Sequence, residues 1–145
     1  MVEMSVAGIA LDAASRTPIV LLRDPSGRRQ VPIWIDQSQA HNIMAGLQGA
    51  EPPRPLSHDL MAALLVAGGL ELERVIVHAI EDSTFHAVLK LRQTDPLDAA
   101  AEGDVILHDV DARPSDAIAL AVRTGSTIWM LEEVVAEASI AVDAE

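Results

Sequence analysis

The chain has no cysteine and no tyrosine, and its only aromatic side chains are Trp34, Phe85 and Trp129. Without cysteine there are no disulfides, thiol nucleophiles or thiolate metal sites. With so few rings, the core must be built from Val, Ile, Leu, Ala and Met. Half of the 145 residues are apolar, which excludes disorder and supplies one domain with an adequate core. The longest apolar run, MAALLVAGGL (61–70), is roughly half of what a bilayer span needs. No basic segment followed by a long apolar one opens the chain, so a secretory leader is not expected. A cytoplasmic protein without a membrane segment is the expectation.

Positive charge is also scarce. Ten bases face 22 acids, for a net charge of −12. The imbalance is uneven: up to residue 92 there are ten acids and eight bases, and beyond it twelve acids and two bases. Phosphate contacts supply most nucleic-acid affinity and need Lys or Arg. A nucleic-acid partner therefore requires a local basic face or a bridging metal. Lys90 is the only lysine; the other nine bases are arginines, which suit bidentate contacts to phosphate or carboxylate.

What is present reads as alternating strands and helices. SVAGIALD, TPIVLLRD and RRQVPIWID read as three strands, the last two joined by the turn DPSG (24–27). SQAHNIMAGLQG follows as a helix, with Ser38 as its expected cap and Gly49 as its stop. Three prolines in AEPPRP (50–55) break regular structure. LSHDLMAALLVAGG is the next helix, with Ser57 as expected cap, and Leu60, Met61, Leu64 and Leu65 form its expected buried stripe. LERVIVHAIE and TFHAVLKLR form a hairpin through EDS. QTDPLDAAAEGD (93–104) reads as a loop. VILHDVD is a strand, DARPSDAIALAV opens a helix ended by Gly125, STIWML is a strand and EEVVAEA a short helix.

The fold class implied is α+β: a single compact domain over 1–135, with a mixed sheet and three to four helices, and a short acidic tail at 136–145. A strand-strand-strand-helix pattern occurs at 5–49 and again at 72–125, compatible with an internal duplication. It aligns Ser38-Gln39-Ala40 with Ser115-Asp116-Ala117.

PIVLLRD, VPIWID, RPLSHDLM and DARPSDAIALAVRTGSTIW, in that order, resemble the bifunctional nuclease domain family. The resemblance covers about residues 3 to 135. It implies a compact α+β domain, association as a homodimer or higher homo-oligomer, and cleavage of DNA and RNA. This chain departs from the family pattern after the VPIWI strand. Asp36 stands where a glycine is usual, and Gln39 where a glutamate precedes the alanine. If that glutamate holds a metal, Gln39 weakens the site; if it only starts a helix, little changes.

The candidate chemistry centres on acids and arginines. Asp109 and Asp111 are two apart on a strand, hence on one face, and Asp116 follows a tight turn. Asp111 and Asp116 are the expected ligands for Mg²⁺ or Mn²⁺ in phosphodiester hydrolysis; equally, Asp116 answers a helix dipole and Asp111 pairs with Arg113. Arg54 and Arg113 each precede a proline. They either grip a phosphate or clamp Asp59 and Asp116 across two helix starts. His58 and Asp59 are candidates for proton transfer, although neighbours on a helix diverge by about 100°. Arg23, Arg28 and Arg29 surround the first turn, as a nucleic-acid contact or a solvated turn. Trp34 and Trp129 stack bases, or pack in the core or at a subunit interface. Two functions follow: a divalent-metal-dependent nuclease of low sequence specificity acting on nucleic acid, or a non-catalytic oligomeric module with a structural Arg–Asp cluster.

Overall fold

The computed structural model describes residues 1–49, 51–93 and 106–142. Its strands are β1 (Val2–Leu11), β2 (Pro18–Arg23), β3 (Arg29–Trp34), β4 (Leu70–Glu81), β5 (Thr84–Gln93), β6 (Ile106–Ala112), β7 (Thr127–Met130) and β8 (Ile140–Ala141). Its helices are α1 (Gln37–Gln48), α2 (Ser57–Ala67), α3 (Pro114–Thr124) and α4 (Glu132–Ala138). This is a single compact α+β domain with one eight-stranded mixed sheet, in the order β6-β5-β4-β7-β1-β2-β3-β8. Two antiparallel meanders, β1-β2-β3 and β4-β5-β6, lie on either side of β7. β7 pairs parallel with β4 and antiparallel with β1. Each meander is followed by a helix, as the repeated pattern implied. Apart from Gln93 in β5, the loop expected at 93–104 lies outside the described residues.

Strand alternation sends one set of side chains to the helices. Val20 and Leu22 of β2, Val31 and Ile33 of β3, Val75 and Val77 of β4, and Ile128 and Met130 of β7 are all buried. α3 is the core helix, with Ala117 to Ala121 buried without a break. Residues of β3 and of the β4–β5 hairpin line one shared cleft although they are far apart in the strand order. The sheet therefore curls around α3.

The helix starts correct the expected caps. Asp36, not Ser38, caps α1: its carboxylate accepts from Gln39 N at 2.7 Å, and Gln39 Oε1 accepts from Asp36 N at 2.8 Å. Gln39 thus closes a capping box. α2 is capped at Leu56, with Ser57 already helical; Asp59 Oδ2 accepts from Leu56 N at 2.8 Å. Gly49 and Gly125 end their helices in the left-handed region, as expected.

The larger correction concerns α2, where three of the four residues of the expected buried stripe face outward and only Leu65 packs inward. Leu64 is 60% exposed, and Leu60 and Met61 are also exposed. The inward face is His58, Ala62 and Leu65: His58 is buried, and the other two pack against the core. That spacing is equally helical. An apolar pattern alone does not reveal which face turns inward when a buried polar partner waits on the other side. From residue 136, where a tail was expected, the chain completes α4 and adds β8. β8 pairs with β3 through Arg29–Ala141 and Gln30–Ile140.

Candidate active site

Two helix starts meet in a polar centre. His58 lies in the first turn of α2 and Asp116 in the first turn of α3. His58 Nε2 lies 2.9 Å from Asp116 Oδ1, and Arg113 Nε donates to Asp116 Oδ2 at 2.8 Å. A carboxylate only accepts, so Asp116 fixes Nε2 as the protonated nitrogen of His58. Nδ1 of His58 is buried without a partner among the described residues. Burial pushes the Asp116 carboxyl up, but its bonds from Arg113 and His58 outweigh that and hold it below the usual range. Beside it, Arg123 Nε donates to Asp59 Oδ1 at 2.7 Å, while Arg123 Nη1 reaches the carbonyls of Asn42 and Ala119 at 2.8 Å. The Arg123 bond is the main reason Asp59 sits below the usual carboxylate range. Arg123 therefore joins α1, α2 and α3.

Next to this centre opens a cleft of about 260 Å³. Its walls come from the end of β3 (Trp34), the start of α1 (Gln39), the β4–β5 turn (Ser83, Thr84, Phe85) and the start of α3 (Arg113, Ser115). Arg113 belongs to both assemblies. Its Nε is held by Asp116, yet its side chain is 67% exposed. Trp34 Nε1 donates to Asp12 Oδ2 at 3.1 Å. Among the described residues no carboxylate or imidazole lines the cleft, so those walls offer no group for proton transfer.

Sequence reasoning brought His58, Asp59, Arg113 and Asp116 to one region, and the structure places them there. The Arg113–Asp116 pair was expected as part of a clamp across two helix starts; it forms within the start of α3 alone, from the cap residue to the first turn. The partner assigned to Asp59 was different: Arg123 holds it, and Arg54 is exposed with no ion pair among the described residues. Arg123 was missed. Its only signal was a base in the last turn of α3, where a dipole contact is the ordinary reading. Asp111 is exposed on the edge strand β6, opposite Val88, and Asp109 pairs with Lys90 at 2.8 Å. Among the described residues no three His, Asp or Glu side chains could hold a metal ion. Both oxygens of Asp116 are engaged. The described residues thus offer no ready ligand set for a resident Mg²⁺ or Mn²⁺. Of the bases at the first turn, Arg29 serves structure, bonding Asp24 and Glu132. Trp34 is outside the core, 56% exposed.

The family model of the bifunctional nuclease domain matches residues 20–143. This chain belongs to the bifunctional nuclease domain family. Two proteins from strains of Mycobacterium tuberculosis, Uncharacterized protein MT1877 and Uncharacterized protein Rv1829, are each 38% identical to it over 145 residues. The match covers 100% of this chain and 80% of each of theirs. Among the described residues of this bifunctional nuclease domain, no helix is long and apolar enough to cross a membrane.

Proposed function

We propose that the chain hydrolyses phosphodiester bonds in nucleic acid, with low sequence specificity, and that substrate phosphate binds beside Arg113. Arg113 carries this reading: in a bifunctional nuclease domain, a guanidinium anchored by Asp116 and still two-thirds exposed stands at a cleft wall. Its terminal nitrogens are placed to stabilise charge on a phosphoryl oxygen. Asp116 and, behind it, His58 act as positioning residues. The reading includes a requirement for Mg²⁺ or Mn²⁺ that arrives with the substrate phosphate, since the described residues offer no ready ligand set of their own. Contacts to the nucleic-acid backbone beyond the cleft fall to the outer face of the sheet. Arg23, Arg74, Lys90 and Arg92 lie there, each next in sequence to a side chain on the helix face. Lys90 pairs with Asp109, and Glu3 and Asp111 share this face, which brings it close to neutral in a chain of net charge −12.

The test is hydrolysis of single- and double-stranded DNA and RNA by highly purified protein with Mg²⁺ or Mn²⁺. Arg113→Ala is expected to lower turnover about 100-fold or more, and a chelator to abolish it. Activity that persists in Arg113→Ala, or in chelator, would remove this reading.

A second reading, a non-catalytic oligomeric module, is supported by the closure of the Arg123–Asp59 pair and the sealing of His58. Under it, Arg113→Ala changes stability alone. Both readings include a homo-oligomer, which we assign to α2. From Leu60 to Leu70 the chain carries no charge, and Leu60, Met61, Leu64 and Val66 are exposed there. Two copies of a −12 chain repel except through such a face.

A further inference from the structure

We propose that the cleft beside Arg113 takes one nucleotide unit of a single strand, its base against Trp34 and its phosphate at the start of α3. The inference rests on the nucleic-acid reading above and names what that site holds. Four observations carry it.

The first is Ser115, which is only 4% exposed, lines the cleft, and has no hydrogen-bond partner for its hydroxyl among the described residues. Its oxygen opens to the cleft rather than being sealed off, so a ligand there can complete it. The second is the helix end beneath it. Pro114 has no N–H, and the amides of Ser115 and Asp116 precede the first intrahelical bond, which Ala117 N makes to Arg113 O at 3.0 Å. Those orphan donors and the positive end of the helix dipole suit an anion.

The third is Trp34. In a chain with only three aromatic side chains, one is left largely in water at the mouth of the cleft, its ring orientation pinned by the bond to Asp12. An indole face accepts any base, at little cost in selectivity. The fourth is size. About 260 Å³ is room for one such unit and excludes a duplex. Ser83 and Thr84 add hydroxyls on the opposite wall, where a sugar would lie.

Charge decides which contact dominates. Arg113 answers two acids, Asp116 and then Asp36, so the cleft is not basic and holds free phosphate weakly. Stacking must supply most of the affinity. That is how a strongly acidic chain can engage nucleic acid without the usual lysine-rich surface.

The experiment is calorimetric titration without divalent cation, using a nucleoside monophosphate, its nucleoside, inorganic phosphate, a short single-stranded oligonucleotide and a duplex. The monophosphate and the single strand are expected to bind at least about tenfold more tightly than inorganic phosphate or duplex, given the size of a base–aromatic stack. Trp34→Ala should weaken the monophosphate about tenfold and Trp34→Phe much less. Ser115→Ala should weaken the monophosphate and leave the nucleoside unchanged. Wild-type affinity in Trp34→Ala, or equal binding of duplex and single strand, would overturn the inference. Binding without hydrolysis would remove the nuclease reading and keep the site. Hydrolysis without monophosphate binding would remove the site and keep the nuclease.

Discussion

Arg123 shows how much one side chain can carry. It is nearly buried, and it bonds a carboxylate on α2 and a carbonyl on α1 while belonging to α3. Removing it takes the ion pair from Asp59, and two helices lose their tie. Arg123→Ala is expected to cost about 1.5–3 kcal/mol, the range for hydrogen bonds to a charged group, since Asp59 is partly exposed and keeps its bond from Leu56, measured by urea unfolding. The acids supply a pH signature. Asp24, in the first turn, is held down to about 2 from 3.8, chiefly by its bond from Ser26. A carboxyl depressed in the folded state stabilises the fold above its unfolded value and loses that contribution as pH falls through its folded value. Stability should therefore drop between pH 3.8 and about 2, with Asp59 and Asp116 adding to the same acid limb. Asp24→Asn should flatten that limb when urea midpoints are followed against pH.

At the scale of elements, the three longer helices share one device. Gln39, Asp59 and Asp116 each stand at the third helical position, where an acceptor can meet orphan amides. Gln39 and Asp59 reach back to their own cap residues; Asp116 turns outward to His58 and Arg113. The same local grammar thus starts two helices and builds a polar centre with the third. Gly46 sets how closely α1 meets α3. A Cβ there would come within 2.6 Å of Val122 Cγ2 and 2.8 Å of Arg123 Nη1. Gly46→Ala should therefore destabilise by about 1–3 kcal/mol through overpacking, against its gain of roughly 1 kcal/mol in helix propensity, as read in thermal and urea unfolding. α2 carries the opposite case, an apolar face without a partner. Leu64→Glu should leave monomer stability nearly unchanged and shift the assembly to monomer in light scattering. An unaltered mass would remove α2 as the contact.

For the whole molecule, the curl of the sheet matters most. It brings the end of β3 to the β4–β5 turn and to the start of α3, so that Trp34, Thr84 and Arg113 line one space. On the outside, Arg74 stands opposite Lys90 and Thr127, and Arg23 opposite Gln30. Arg23, Arg74 and Arg92 have no ion pair among the described residues, and each has a buried, unpartnered Nε. If this face tracks a phosphate backbone, the double variant Arg23→Ala, Arg74→Ala should lower the salt slope of single-strand binding by about 1.4, roughly 0.7 for each lost contact. Its affinity for a mononucleotide should stay the same. An unchanged slope would take the outer face out of the binding surface.

The strands other than β8, the turn at 24–27, the helix stops at Gly49 and Gly125 and the α+β class were legible in the sequence. Each rests on local physics: alternation, proline and glycine geometry, and helical periodicity. The ordered motifs made the family legible as well. Four residues of the polar centre could be named because Arg-Pro corners and first-turn acids mark helix starts. The pairing of those residues was not legible. Arg123 is 64 positions from Asp59, and no local rule selects that partner over Arg54. Nor could the pattern say that α2 would bury His58 and expose Leu60 and Leu64, since both faces repeat at helical spacing. The exposure of Trp34 and the isolation of the Ser115 hydroxyl likewise arise only when the curled sheet closes on α3. The sequence determined which of the main elements form and where they stop. The tertiary structure decided which faces turn inward and which charges meet, because those outcomes depend on contacts between segments far apart in the chain.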